Sequence, residues 1–292
     1  MITIRKVVLL LAISLILSVP LALGQGTYTQ IDEPDGANGT YVQGIDGAGD
    51  IVGFYTDASV TTHGFLLSAG TYTTIDYPGS QNTELYGVNN VGQIVGFSTY
   101  PTPVVGFLYD VATQTFTTIS YPRATATYPL AINDTGTIAG YFKYSNGATS
   151  GFESAGSTYR QIKPPQASNS FVSGISTSGE LAGHVASINQ GNVNFLFKQG
   201  TYSPISIPNA PSAVILGINP AGTALVGYYQ PVFGTSVGFL YQNKTTQTLQ
   251  FPGAVDTAAT GINATGEVVG LFYDSVGAAH GFTWTPGGAA KK

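Results

Sequence analysis

GVNNVGQIVGF, residues 87–97, is the clearest of six versions of one pattern in this chain. Each version has a small residue followed by Ile or Val, a polar turn that ends in Gly, and an apolar segment with a fixed Gly. Asn and Asp hydrogen-bond their own backbone in turns, and Gly accepts the positive φ that such turns need. The pattern therefore predicts two β-strands joined by a tight turn. The small residues that open the six versions are Gly44, Gly87, Ala131, Gly174, Gly217 and Gly261.

The repeat unit is 43 or 44 residues long and contains two further strand patterns. A third strand carries the triplet seen at His63-Gly64-Phe65, and a fourth has the form aromatic-x-x-Ile-x-x-Pro, as in Tyr72–Pro78. Pro suits a strand end or an edge, because it cannot donate to a ladder. Nearly continuous apolar character in the second strand indicates that both of its faces are covered. Four short strands in each period are typical of the blades of a β-propeller.

The position of the fourth-strand pattern predicts how the array closes. One copy, Tyr28–Pro34, precedes the first unit, and no copy follows the third strand of the last unit, which runs into residues 283–286. We therefore expect the N-terminal strand to complete the last blade. The fold predicted for residues 25–286 is an all-β, six-bladed β-propeller with four-stranded blades. A β-solenoid is the alternative, although an open solenoid favours complete units with polar caps.

The two ends of the chain differ in composition from the repeats. Arg5 and Lys6 precede an apolar run over residues 7–17, and small residues stand at Ala22 and Gly24. This layout is typical of a secretory signal peptide, here residues 1–24. An uncleaved membrane anchor is the alternative, but the run is shorter than the roughly 20 apolar residues of a spanning helix. We expect a secreted, extracellular or cell-envelope product, the periplasm included, with a disordered tail over residues 287–292.

Composition excludes several classes of function. Cys is absent, which excludes thiolate metal sites and thiol nucleophiles. Removal of Arg5 and Lys6 lowers the net charge from −5 to −7. An acidic chain with scattered Lys and Arg lacks the basic surface that nucleic acid requires. We therefore expect no nucleic-acid partner, and no membrane span once the signal is removed.

The repeated units resemble bacterial extracellular HAF repeats. The resemblance rests on Gly-Ile-Asn-x-x-Gly-x-Val-Val-Gly, followed by His-Gly-Phe and then by Thr-x-Ile-x-x-Pro-Gly, and it covers nearly the whole of residues 25–286. The histidine of the triplet is kept at His63 and His280. Its place is taken in the other units by Val105, Ser150, Val193 and Val237. The resemblance implies export and a repeated architecture, and it implies no activity and no catalytic residues.

The sequence indicates no catalytic set, no metal site and no cofactor. His63 and His280 occupy equivalent places in the first and last units, but a shared metal site would also need acids at ligand spacing. Asp46 and Asp50 lack the alternating oxygen ligands of a calcium loop, so we expect them to be turn and strand-start residues. Glycosidase chemistry requires two convergent carboxylates, and no pair of glutamates recurs in the repeats.

The most variable segments are the loops between second and third strands. Variable loops on a rigid scaffold are where recognition usually lies. We expect these loops to share one face with the linkers that precede each unit, to which we assign Glu84 and Arg123. Exposed aromatic residues there could stack on sugars or anchor protein contacts. The candidate binding residues are Tyr100, Arg123, Tyr144, Phe233 and Glu84.

These features favour a non-enzymatic, exported binding or surface-interaction module. Its ligand would be a glycan, a small molecule or a surface protein. One alternative is an extracellular hydrolase, lactonase or lyase with its site at the mouth of the propeller channel. A second is a self-associating component of the envelope or matrix.

Overall fold

The computed structural model describes residues 26–100, 103–187, 191–232 and 234–287. The predicted signal peptide, residues 1–24, lies outside the described residues, as does the predicted tail after Gly287. The described residues form β-strands, and no helix among them is long and apolar enough to cross a membrane. The strands are β1 (Gly26–Ile31), β2 (Thr40–Ile45), β3 (Ile51–Thr56), β4 (Thr62–Ser68), β5 (Thr71–Ile75), β6 (Asn82–Val88), β7 (Gln93–Tyr100), β8 (Val105–Asp110), β9 (Thr115–Ile119), β10 (Ala126–Ile132), β11 (Thr137–Lys143), β12 (Thr149–Ala155), β13 (Thr158–Ile162), β14 (Phe171–Ile175), β15 (Leu181–Ser187), β16 (Gly191–Lys198), β17 (Thr201–Ile205), β18 (Val214–Ile218), β19 (Ala224–Val232), β20 (Thr235–Gln242), β21 (Thr245–Leu249), β22 (Asp256–Ile262), β23 (Val268–Tyr273) and β24 (Ala279–Pro286).

The strands form antiparallel sheets in the order of the repeats. Four sheets have four strands each, namely β10–β13, β14–β17, β18–β21 and the set β22, β23, β24 and β1. The eight strands β2–β9 form one sheet, because Thr62 of β4 and Asn82 of β6 make a parallel pair. The predicted all-β, propeller-like fold is confirmed. The predicted division into six separate four-stranded sheets differs from the backbone pairing, since this contact merges two sets of four strands.

The N-terminal strand pairs with the last strand of the chain. In the antiparallel register of β1 and β24, Tyr28 lies opposite Trp284. Two side-chain hydrogen bonds also join the last unit to the first: Thr260 Oγ1 donates to the Val42 carbonyl at 3.0 Å, and Asn263 Nδ2 donates to the Asp46 carbonyl at 3.1 Å. The pairing expected from the offset of the fourth-strand pattern is therefore confirmed.

The first strand of every unit carries a β-bulge. We call these strands the inner strands; they are β2, β6, β10, β14, β18 and β22. In each of them the register shifts across the residue that precedes the small residue of the repeat, as between Leu85 and Gly87. Next to the bulge, the Glu84 carbonyl lies so close to Gly96 of the second strand that a Cβ there would overlap it. The fixed Gly of the second strand is thus a point of close backbone approach.

The hydrophobic core is divided among the contacts between neighbouring units. Val95 and Ile119 of the second unit pack in one cluster with Phe152 of the third. Ile31 of β1 joins Phe65 of the first unit in another cluster. Because each sheet covers its apolar side chains with the next, the units stabilise one another rather than folding alone. The Phe of each third-strand triplet is buried, at Phe65, Phe107, Phe152, Phe195, Phe239 and Phe282.

Candidate functional site

A cavity of about 160 Å³ lies where the six inner strands meet, and we call it the axial cavity. The bulged residue of each inner strand lines it, because a bulge leaves one residue outside the regular pairing of the ladder. These residues are Gln43, Tyr86, Leu130, Ser173, Leu216 and Thr260. The lining is therefore chemically mixed: Gln43, Ser173 and Thr260 are polar, and Leu130 and Leu216 are apolar.

At one end of the axial cavity, amide side chains join the turns of neighbouring units. Asn89 Nδ2 donates to the Asn133 carbonyl at 2.9 Å, and Asn133 Nδ2 donates to the Ser176 carbonyl at 3.1 Å. Asp46 holds this position in the first unit and is only 8 % exposed. Burial raises the pKa of the Asp46 carboxyl group, since desolvation disfavours its charged form. Its Oδ1 accepts hydrogen bonds from the backbone of Asp50 and Ala48, which confirms its predicted role in a turn.

At the opposite end of the inner strands, eight rings follow one another in contact. They come from the inner and second strands of the first four units, and neighbouring ring centroids are 4.4 to 6.1 Å apart. Tyr86 also lines the axial cavity, so the row borders that cavity. All of the rings except that of Phe97 are partly exposed. We call this surface the aromatic mouth; its rings are Tyr41, Phe54, Tyr86, Phe97, Tyr128, Tyr141, Phe171 and His184.

Glu84 lies within the aromatic mouth. It is opposite Phe97 in the register of β6 and β7, and Tyr86 Oη donates a hydrogen bond to its Oε2 at 3.0 Å. Burial raises the pKa of Glu84, and the hydrogen bond from Tyr86 partly opposes this shift. Burial also raises the pKa of Tyr86, and the nearby Glu84 carboxyl group raises it further. The carboxyl group therefore lies in surroundings of low polarity with one hydrogen-bond donor.

Glu84 was predicted to lie in a linker, and this prediction was wrong. β6 begins at Asn82, so Glu84 is part of an inner strand, and its side chain accepts a hydrogen bond from Tyr86, which lines the axial cavity. Alignment of the repeats could have located it. Glu84 stands three residues before the small residue of its unit, where other units have Tyr41, Tyr128 and Phe171.

In each unit, the residue three positions before the small residue of the repeat lies opposite a residue of the second strand. These six pairs of opposed residues supply the charged groups at the height of Glu84. They are Tyr41 and Phe54, Glu84 and Phe97, Tyr128 and Tyr141, Phe171 and His184, Val214 and Tyr228, and Ala258 and Leu271. We call these the mouth pairs. Among them, Glu84 is the one carboxylate and His184 the one basic residue. Burial lowers the pKa of His184 to about 4, so its imidazole is neutral at pH 7.

The outer rim of the same face holds two other predicted binding residues. Loops and linkers do share one face: in the third unit, the backbone N–H of Thr125 in the linker donates to the Lys143 carbonyl at 2.8 Å. Arg123 is exposed in that linker, with a φ of 65°. Tyr144 packs edge-on against Phe142 with ring centroids 4.9 Å apart.

The remaining predicted residues are described in part or not at all. Tyr100 ends β7, where its backbone lies opposite Asn82, but its side chain lies outside the described part of the chain. Phe233 is also outside the described residues. Within the described residues, no hydrogen bond or ion pair joins Glu84 to Arg123 or Tyr144. Of the three predicted residues whose side chains are described, Glu84 is the one in contact with the lining of the axial cavity, through its hydrogen bond with Tyr86.

Both triplet histidines bridge two carboxylates, an arrangement that the sequence analysis missed. His63 Nδ1 lies 2.8 Å from Asp76 Oδ2, and its Nε2 lies 3.6 Å from Asp57 Oδ2. His280 makes the same contacts, at 2.8 Å to Asp32 Oδ1 and 3.7 Å to Asp274 Oδ2. Each histidine thus ties a loop to the end of a neighbouring fourth strand. In the described ranges, no group of three or more His, Asp or Glu side chains is placed to hold a metal ion.

No protein-family model matches this chain, and no curated protein matches it in sequence. Solved structures match it in fold. TolB from Acinetobacter baumannii has a TM-score of 0.57 and 9 % identity over 80 % of this chain, which spans 63 % of the length of that TolB chain. A mutant Aleuria aurantia lectin in complex with Fucalpha1-6GlcNAc has a TM-score of 0.55 and 12 % identity, with 88 % of this chain and 99 % of the lectin covered.

The β-propeller domain of the trilobed protease from Pyrococcus furiosus is a third match, with a TM-score of 0.50 and 12 % identity over 84 % of this chain and 95 % of that domain. At such low identities the similarity shows the fold alone. The chain is therefore an all-β protein with a propeller-like fold.

Proposed function

We propose that this protein is a non-enzymatic binding module whose ligand binds at the aromatic mouth. One observation carries this proposal: the carboxyl group of Glu84, a partly exposed residue, lies among contacting aromatic rings, and one of them, Tyr86, lines the axial cavity. Aromatic surface with a few convergent polar groups is typical of sites for small molecules and sugars. Arg123 and Tyr144 would contribute to an outer rim that contacts larger ligands, such as a glycan or a surface protein.

We infer that the eight-stranded sheet consists of two blades, which gives a propeller of six. This inference is supported by the single residue pair, Thr62 with Asn82, that joins β4 to β6 in the described residues. It is also supported by the axial cavity, which is lined by six inner strands that share the same bulge. An experimental structure that grouped β2–β9 around one continuous hydrogen-bond ladder would contradict it.

A hydrolase, lactonase or lyase at the same mouth has less support. Acid–base hydrolysis of this kind uses two convergent carboxylates or a bound divalent ion. The mouth pairs contain one carboxylate, Glu84. This composition favours a binding role over a hydrolytic one.

We also propose that residues 1–24 direct export and are removed near Gly24. This proposal is supported by the charged start, the short apolar run and the small residues at Ala22 and Gly24. Mass spectrometry of protein recovered outside the cytoplasmic membrane should give Gln25 as its first residue. Recovery of the intact N-terminus from the membrane fraction would instead support an anchor.

The binding role is tested by a glycan and small-molecule array with residues 25–292. Two variants, Glu84→Gln and Tyr86→Phe, probe the mouth, and two others, Arg123→Ala and Tyr144→Ala, probe the rim. Loss of a charged hydrogen-bonding partner typically costs about 1.5–3 kcal/mol, so Glu84→Gln should weaken an array ligand about tenfold or more. If array ligands bind all four variants as tightly as the unmodified protein, the proposed site is wrong.

A further inference from the structure

Among the residues that the structure describes, no cationic side chain pairs with Glu84. Its hydrogen-bond donor there is the Tyr86 hydroxyl group, which is neutral. The ion pairs of Lys and Arg in the described residues involve other carboxylates, Glu153 and Glu180. His184, the one basic residue among the mouth pairs, is kept neutral by its burial. Carboxylates drawn out of water are costly unless a cation or several donors compensate them.

The surroundings of Glu84 are suited to a cation of a particular kind. Tyr86 stacks on Phe97 with centroids 5.1 Å apart, and Tyr128 contacts Phe97 edge-on at 5.0 Å and stacks on Tyr141 at 4.4 Å. The faces of aromatic rings carry negative potential and attract weakly hydrated cations such as alkylammonium groups. Calcium and magnesium, by contrast, require six or more oxygen ligands, which a single carboxylate does not supply.

The axial cavity provides room for the rest of such a ligand. Tyr86 borders both the aromatic mouth and the cavity of about 160 Å³, so a substituent on the cation can extend from Glu84 towards the axis. Gln43, Ser173 and Thr260 line the cavity and offer polar groups to that substituent.

We infer that the aromatic mouth binds an organic ammonium cation, with Glu84 as its counter-charge and the rings of Tyr86 and Tyr128 in contact with its alkyl groups. This inference rests on the proposed binding function and specifies the chemical class of the ligand. A neutral sugar would contact the same rings but would gain little from the Glu84 carboxylate, so the two classes of ligand should differ in affinity.

The test compares choline with 3,3-dimethylbutan-1-ol, a neutral molecule of nearly the same shape. Binding of both to residues 25–292 is measured by isothermal titration calorimetry and by chemical-shift mapping, in phosphate buffer because amine buffers are themselves ammonium ions. We expect choline to bind about tenfold more tightly or better, because the neutral molecule makes neither the cation–π contact nor the charge pair with Glu84. Equal affinity for the two molecules would overturn the inference.

Two substitutions assign the effect to the mouth. Glu84→Gln keeps the shape of the side chain and should reduce choline binding about tenfold, whereas Tyr128→Leu removes one ring and should reduce it by a smaller factor. Glu180→Gln is the control: it removes a carboxylate that lies just before β15, away from the mouth, and that pairs with Lys198. This change should leave binding unchanged. Thermal unfolding of each variant establishes that it is folded. Unchanged choline affinity in folded Glu84→Gln protein would overturn the inference.

The outcomes also distinguish this inference from the proposed function. If neutral ligands bind at the mouth, as judged by shifts of its residues, and choline gains no advantage, the ammonium assignment fails and the binding function stands. If neither choline nor any array ligand perturbs the mouth, both fail together.

Discussion

Replacing Asp46 with Asn should stabilise the folded protein at neutral pH. In three other units the equivalent Asn donates its side-chain amide to a carbonyl of the next turn: Asn89 donates to Asn133, Asn133 to Ser176, and Asn263 to Asp46. These hydrogen bonds connect neighbouring units around the axial cavity. Asp46 has no N–H to offer at this position, so the first unit lacks the same connection to the second.

The Asp46 side chain still accepts the backbone hydrogen bonds that the equivalent Asn accepts within its own turn. Its Oδ1 accepts from the backbone of Ala48 and Asp50, each at 2.9 Å, as the Oδ1 of Asn133 accepts from Thr135 and Thr137. By analogy with the other units, we expect Asp46 Oδ2 to take the place of the amide nitrogen and to face the carbonyl of Asn89. Two acceptor oxygens would then oppose one another unless the carboxyl group is protonated.

The expected gain in stability comes from the new hydrogen bond between the Asn side chain and the Asn89 carbonyl. An added hydrogen bond contributes about 0.5–1.5 kcal/mol, and relief of a buried, poorly solvated charge adds to it. We expect Asp46→Asn to raise the free energy of unfolding by about 1–2 kcal/mol at neutral pH. In a domain of this size that corresponds to an increase in Tm of about 2–6 °C.

The pH dependence has a defined sign. Because burial raises the folded-state pKa of Asp46 above its unfolded value, the stabilising, protonated form is fully present below the unfolded pKa. That stabilisation is lost as the pH rises through the folded-state pKa. The advantage of Asp46→Asn should therefore be largest at neutral pH and should shrink towards about pH 4, near the ordinary pKa of Asp.

Thermal and urea unfolding of residues 25–292 at both pH values measures this effect. The matched control, Asn133→Asp, places the same acid in the third unit and should destabilise the protein at neutral pH by a similar amount. The reasoning is refuted if Asp46→Asn is no more stable at neutral pH, if its advantage is the same at both pH values, or if Asn133→Asp is as stable as the unmodified protein.

Three further predictions concern the backbone and the closing strand. Val60 is 74 % exposed and has a φ of 63°, which is unfavourable for a β-branched residue. Val60→Gly should therefore raise the free energy of unfolding in urea by about 0.5–1 kcal/mol, and Gly277→Val in the equivalent loop should lower it. Equal stabilities would contradict this. Gly96→Ala places a Cβ against an inner-strand carbonyl and should lower the free energy of unfolding by about 1–3 kcal/mol, and an unchanged Tm would count against the close approach. Deleting residues 26–31 uncovers β24, so the emission of Trp284, the one tryptophan and 2 % exposed, should shift to the red; an unshifted spectrum would show that β1 does not cover it.

The strands of this fold and their order can be read from local patterns along the chain. Turn chemistry at Asn89–Gly92 and the alternation of short apolar segments act between residues close in the chain, so they can be recognised without tertiary information. The pairing of β1 with β24 also followed, because a fourth-strand pattern ahead of the first unit leaves the last unit one strand short. In the other units the third and fourth strands are neighbours in the chain and pair with each other. The pairing of β1 with β24 repeats that local contact between the two ends of the array.

The features in which single units depart from the repeat depend on contacts made in the folded protein. The merging of two strand sets by Thr62 and Asn82, the position of Glu84 among the aromatic rings, and the acids around His63 depend on contacts between side chains that no periodicity specifies. The burial of Asp46 is of the same kind, because the neighbouring turn of the last unit packs against it and Asn263 donates to its carbonyl. Strand formation responds to local pattern, whereas charge, burial and hydrogen-bond partners are set by which units the closed array brings together.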